Sequence, residues 1–80
     1  MLKQDAANAL RRLKKSVNDS LSGFERFLLE EDFYNANFCL QTWRMHSREL
    51  DIDDEAEYKA LKKRLEDASI DKAVRKAKEN

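Results

Sequence analysis

Residues 33–50 read FYNANFCLQTWRMHSREL, and this stretch decides how the rest of the chain must pack. Because successive residues of a helix are about 100° apart, its apolar side chains fall on two nearly opposite sides. One side holds Phe33, Ala36, Cys39, Leu40, Trp43 and Leu50, and the other holds Tyr34, Phe38, Met45 and, if the helix continues, Ile52. A surface helix needs only one apolar stripe. This helix therefore either lies between two neighbours or carries an exposed contact surface.

The flanking sequence predicts one helix before this stretch and one after it. Apolar residues recur on a single arc from Leu2 to Leu28, which favours one long helix that continues through Gly23. Asp32 is placed to cap the second helix, and four carboxylates between Asp51 and Glu55 suit the start of a third. The expected bounds are roughly 3–30, 33–50 and 54–79. Beyond Ala68 the apolar positions move to a different side, so either the third helix bends near residues 67–69 or its last turns face something else.

The composition supports an all-α fold. Ala, Glu, Lys, Leu and Arg account for 43 of the 80 residues, and the chain has one glycine and no proline. A series of short strands or a long loop would need more turn-forming residues. We predict a small antiparallel three-helix bundle with a long first helix, in which residues 1–80 form a single helical domain.

The sequence offers little for catalysis or cofactor binding. Cys39 lies among apolar residues, and His46 is about 10.5 Å further along the helix axis, too far for the two to share a metal ion. One glycine is too few for a phosphate-binding glycine loop. We therefore expect no enzymatic activity, no metal, no cofactor and no small-molecule substrate.

Two further features bear on location. No apolar run exceeds three residues, whereas a membrane span needs about twenty and a secretory signal about seven. The single cysteine favours a reducing compartment. We predict a cytoplasmic protein that does not bind membranes.

Charge is balanced overall but unevenly distributed. Sixteen basic and sixteen acidic residues give a net charge of zero, yet residues 1–19 hold five basic and two acidic residues, and residues 20–37 hold one and four. These segments are therefore net +3 and net −3. Opposite segments can pair within the chain or with a partner. On the third helix, Glu55 with Lys59 and Lys62 with Glu66 have the i,i+4 spacing of supporting ion pairs.

Basic clusters make nucleic-acid binding an alternative function. The residues concerned are Arg11, Arg12, Lys15, Lys59, Lys62 and Lys63. Binding through them would track phosphates and depend steeply on salt. The balanced overall charge and the absence of a recognised nucleic-acid motif favour solvated helix faces instead.

The second apolar side of the middle helix is the leading functional candidate. Tyr34, Phe38 and Met45 are of the residue types enriched in the cores of protein interfaces. The competing interpretation is that this side packs against a neighbouring helix. We predict a non-enzymatic interaction or regulatory module that docks another protein, or a second copy of itself, on this helix face. A structural subunit of a homo-oligomeric assembly is a further alternative.

The stretch from Phe27 to Trp43 resembles one tetratricopeptide helical hairpin, with Phe27, Phe33, Ala36 and Leu40 at comparable spacing. The early Trp and Leu-Gly positions of that repeat are filled by Ser20, Gly23 and Phe24, and no second repeat follows. The resemblance therefore implies no function for this chain.

Overall fold

The computed structural model describes residues 3–79, with side chains from Ala6 onward. Over this range the chain forms α1 (Lys3–Leu29), α2 (Phe33–Glu49) and α3 (Glu55–Glu79), and no strand. The predicted small three-helix bundle with a long first helix is confirmed, and each observed helix boundary lies within one residue of its predicted position. Leu2, the first member of the predicted apolar arc, lies outside the described residues.

The first helix runs without interruption through Gly23, as the apolar arc predicts. Glycine suits this position because α1 and α2 approach each other closely here. A Cβ atom on Gly23 would lie 3.0 Å from the Cys39 sulfur, closer than an ordinary contact. The residue that looked like a turn signal is therefore a contact point between two helices.

Acidic side chains start the second and third helices. The Asp32 carboxylate accepts a hydrogen bond from the Asn35 backbone N–H at 3.3 Å, and Asp54 accepts one from the Glu57 N–H at 3.1 Å. Each bond satisfies a donor that the first turn of a helix leaves unpaired. The predicted cap at Asp32 is confirmed, and Asp54 is the member of the acidic segment 51–55 that caps α3.

Both interhelical turns end the preceding helix in the same way. Glu31 and Asp51 adopt left-handed backbone conformations, with φ angles of 60° and 58°. The residue after each of them donates its backbone N–H to a carbonyl five residues earlier, Asp32 to Phe27 at 2.8 Å and Ile52 to Ser47 at 2.9 Å. This is the Schellman arrangement, in which glycine usually fills the left-handed position.

Asp51→Gly is expected to raise the free energy of unfolding by about 0.5–1 kcal/mol. Relief of the left-handed strain exceeds the extra chain entropy that glycine brings to the unfolded state. Asp51 is exposed and forms no ion pair among the described residues, so the substitution removes little else. Urea denaturation followed by the fluorescence of Trp43, the single tryptophan, measures the change. Glu31→Gly is the comparison and should gain less, because Glu31 pairs with Arg75. Destabilisation by Asp51→Gly would contradict this explanation.

The helices run antiparallel, with α2 in contact with both of the others. Ser16 contacts His46 and Gly23 approaches Cys39, while Arg44 contacts Glu55. The core lies on the side of α2 that both neighbours share. Its buried apolar residues are Val17, Phe24, Ala36, Leu40, Trp43, Tyr58, Leu61 and Leu65. The result is a flat, elongated molecule whose Cα atoms span 61 × 22 × 12 Å.

Part of the uneven charge is matched inside the molecule. Both terminal nitrogens of Arg64 donate to the Glu25 carboxylate, at 2.6 and 2.7 Å. This hydrogen bonding lowers the pKa of Glu25, against the opposing effect of burial. Acidic residues 20–37 are thus matched in part by basic residues of α3.

The expected i,i+4 pairs on α3 are not formed. Glu55 binds Arg44 of α2 at 3.1 Å rather than Lys59, and Lys62 and Glu66 are not within ion-pair distance. An arginine from a neighbouring helix can bind a carboxylate with a planar fork of donors, which a lysine lacks. Lys59 and Lys62 have no carboxylate within ion-pair distance among the described residues.

Candidate protein-binding face

The apolar side of α2 that holds Tyr34, Phe38 and Met45 faces solvent. These side chains are 83%, 65% and 52% exposed. Their spacing of four and seven residues places them on one arc about 40° wide. The buried residues of the helix, Ala36, Leu40, Trp43 and Ser47, lie on the opposite side. Packing within the bundle therefore does not account for these three apolar residues, which we call the outer α2 face.

The outer face is free because both neighbours approach α2 from its core side. Cys39 marks the contact with α1, and Arg44, whose guanidinium lies 4.0 Å from the centre of the Tyr58 ring, marks the contact with α3. At about 100° per residue these two positions are roughly 140° apart around α2. Two neighbours in that arrangement enclose the core between them and leave the far side of α2 uncovered.

Gln41 completes a regular row along the outer face. Residues 34, 38, 41 and 45 are spaced by four, three and four positions, which is the spacing of a coiled-coil seam. Gln41 Nε2 donates a hydrogen bond to the Tyr58 hydroxyl at 3.0 Å. This bond lowers the pKa of Tyr58, and the positive charges of Arg44 and Lys62 lower it as well. Burial has the opposite effect and raises the pKa. Because Lys62 lies one turn after Tyr58 on α3, it extends the α3 edge of the outer face.

The basic residues predicted for nucleic-acid binding are all exposed, but the structure does not bring them together into one surface. Arg12 and Lys15 line a groove of about 410 Å³ between α1 and Cys39 of α2. Lys59, Lys62 and Lys63 lie on α3. The apolar row of α2 separates the two groups.

The predicted basic residues other than Arg11, together with Arg26, lie in two rows, one on each side of the outer α2 face. On α1, Arg26 lies about three turns after Lys15 and therefore on the same side of the helix as Arg12 and Lys15. On α3, Lys59 and Lys63 continue the side of the helix on which Glu66 and Ile70 line a groove with Phe33. We call these rows the α1 border (Arg12, Lys15, Arg26) and the α3 border (Lys59, Lys62, Lys63). Sequence reasoning missed Arg26, because no basic cluster surrounds it. Arg11 is not among the residues that line the groove.

The side chains most suited to chemistry, Cys39 and His46, lie at contacts between α1 and α2. Burial raises the pKa of the Cys39 thiol, although the charge of Arg26 opposes this, so the thiol stays protonated at neutral pH. Ser16 Oγ lies 2.6 Å from His46 Nδ1, a hydrogen bond that joins α1 to α2. Over the described side chains, no three His, Cys, Asp or Glu residues lie close enough together to hold a metal ion.

The end of α3 carries a second exposed apolar patch. Ile70 and Val74 are 61% and 46% exposed. Ile70 shares a groove of about 380 Å³ with Phe33, the residue next to Tyr34. The apolar surface of the outer α2 face therefore continues towards α3 at its Tyr34 end.

No protein-family model matches the chain, and no curated protein or solved structure matches it either. None of the helices over residues 3–79 has an apolar stretch of the length needed to cross a bilayer.

Proposed function

We propose that this protein is a non-enzymatic protein-binding module that docks a helix of its partner along the outer α2 face. The observation that carries the proposal is the row of Tyr34, Phe38 and Met45, each more than half exposed on one arc of a 17-residue helix. Single exposed apolar residues are common on protein surfaces, whereas a contiguous patch marks an interaction site. The opposite side of α2 is anchored in the core, so the row is presented on a rigid support.

A helix is the partner element that fits this row. The four-three-four spacing of positions 34, 38, 41 and 45 is the spacing at which side chains of two helices interlock. Tyr34 and Phe38 supply large aromatic anchors, and the flexible Met45 side chain adapts to the partner. The Gln41 amide already donates to Tyr58, so covering it leaves that donor satisfied.

The test uses selection from a displayed library of helical peptides with randomised surface positions, followed by measurement of binding by fluorescence anisotropy. Phe38→Asp is expected to lower the affinity for the selected peptides by at least about tenfold, because it places a charge in the centre of the apolar row. Phe38 is 65% exposed, so the fold should survive, which circular dichroism and urea denaturation verify.

Leu10→Asp is the matched control, since Leu10 is an exposed apolar residue of α1, 51% exposed, away from the outer α2 face. It should leave affinity within about twofold of the original. Equal binding by the Phe38→Asp variant, or equal loss in both variants, would show that the outer α2 face is not the docking site.

A further inference from the structure

We infer that the partner helix is acidic: it carries carboxylates on both flanks of its apolar stripe and belongs to another protein rather than to a second copy of this chain. This inference rests on the proposed function and adds the chemistry of the partner. Its basis is the charge of the two borders, which a helix seated on the outer α2 face would meet along both of its sides.

The borders are predominantly basic. They hold six basic residues, and the grooves beside them hold two acidic residues, Asp19 and Glu66, so these eight residues carry a net charge of six minus two, or +4. None of the six basic residues forms an ion pair with another described side chain. In contrast, Arg44, Arg64 and Arg75 elsewhere in the bundle all bind carboxylates.

The border cations are within reach of a docked helix. On the α1 side, Arg12 and Lys15 line the same groove as Cys39 of α2. On the α3 side, Lys62 lies one turn after Tyr58, whose hydroxyl is bonded to Gln41 in the middle of the row. Long basic side chains that flank an apolar seam are placed as the e and g positions of a coiled coil are, where they bind acidic residues of the partner and determine which helix pairs.

A second copy of the chain does not match the charge around the outer α2 face. In a two-fold dimer the same patch lies on both sides of the interface, so a border of net positive charge would face another of the same sign. Several of the chain's own carboxylates are engaged elsewhere in the bundle. Glu25, Glu31 and Glu55 are already paired with arginines, and the acidic segment 51–55 lies at the turn after α2. Like-charge contact of this kind selects against a partner even where its apolar surface fits.

The test is a second peptide selection, in which the apolar positions are held constant and the flanking positions vary among Glu, Lys and Ser. We expect Glu to be enriched on both flanks and the selected peptides to bind at least about tenfold more weakly at about 500 mM than at about 50 mM salt. Replacing Lys59, Lys62 and Lys63 together by Glu should change the preference on one flank from Glu to Lys. The matched control makes the same replacement at Lys14, Lys76 and Lys78, which are exposed residues outside the borders. It should leave the preference at the flanking peptide positions unchanged.

The outcomes separate the two proposals. If the selected peptides require Phe38 but show no preference for Glu, the inference of an acidic partner is wrong and the proposed docking face is retained. The absence of any Phe38-dependent peptide would overturn both. A dimer that sedimentation equilibrium detects at both salt concentrations, and that Phe38→Asp abolishes, would assign the face to a second copy. If a short DNA duplex binds through the lysines and Phe38→Asp does not change its affinity, the borders bind nucleic acid instead.

Discussion

Phe24→Ala is expected to lower the free energy of unfolding by about 3–5 kcal/mol, the cost of removing a fully buried aromatic ring. Phe24 is 0% exposed and belongs to the core cluster enclosed by the three helices. At ~0.05–0.15 kcal/mol per residue, the entire chain is stabilised by about 4–12 kcal/mol. The substitution therefore removes a large fraction of the total, and the variant should be partly unfolded at physiological temperature.

Phe38→Ala is the control for this effect, because it removes the same side chain from a position that is 65% exposed. Its stability should stay within about 0.5 kcal/mol of the original. Urea denaturation followed by Trp43 fluorescence measures both variants. Similar losses for the two would mean that the outer α2 face is covered in solution, and a small loss for Phe24→Ala would contradict the position of the core.

Gly23→Leu is expected to destabilise the fold by about 1–3 kcal/mol, although leucine is a far better helix former than glycine. Even a Cβ atom at this position would lie 3.0 Å from the Cys39 sulfur, and the rest of the leucine would extend into the same contact. The helices must separate to admit it, which weakens the packing between α1 and α2. Thermal unfolding by circular dichroism measures the loss as a lower Tm.

Two comparisons isolate the cause. Ser22→Leu places the same side chain one residue earlier, at an exposed position of α1, and should be neutral or stabilising. In a protein in which Cys39 is replaced by alanine, Gly23→Ala should be stabilising, because the sulfur that the new Cβ atom would meet is gone. If Gly23→Leu stabilises the protein as Ser22→Leu does, close approach at Gly23 is not the reason for the glycine.

Much of the local structure could be predicted from the residues alone. The apolar arc of α1, the cap at Asp32 and the acidic start of α3 are local features, because each depends on residues within one or two turns of the same helix. The helix bounds follow from them. The left-handed residues Glu31 and Asp51 were not predicted, because glycine is the usual signal for that conformation and neither is glycine.

The candidate site was only half visible in the sequence. The pattern of α2 shows two apolar sides, and Tyr34, Phe38 and Met45 are of the types that interfaces use, but periodicity cannot tell which side is covered. Likewise, the clusters at Arg12 and Lys59 are plain in the sequence, whereas their positions on opposite borders of one face are not. The spacing of Glu55 and Lys59 even suggested a local pair that Arg44 of another helix prevents.

The sequence by itself determined that the chain is helical, where its helices begin and end, and that the middle helix has two apolar sides. Only the tertiary structure decided that α1 and α3 both pack on one side of α2, which buries Leu40 and Trp43 and leaves Tyr34 and Phe38 in solvent. The physical reason is the range of the forces involved. Helix formation depends on neighbours three or four residues away, whereas burial and ion pairing depend on residues that are distant in the chain, such as Glu25 and Arg64, and adjacent only after folding.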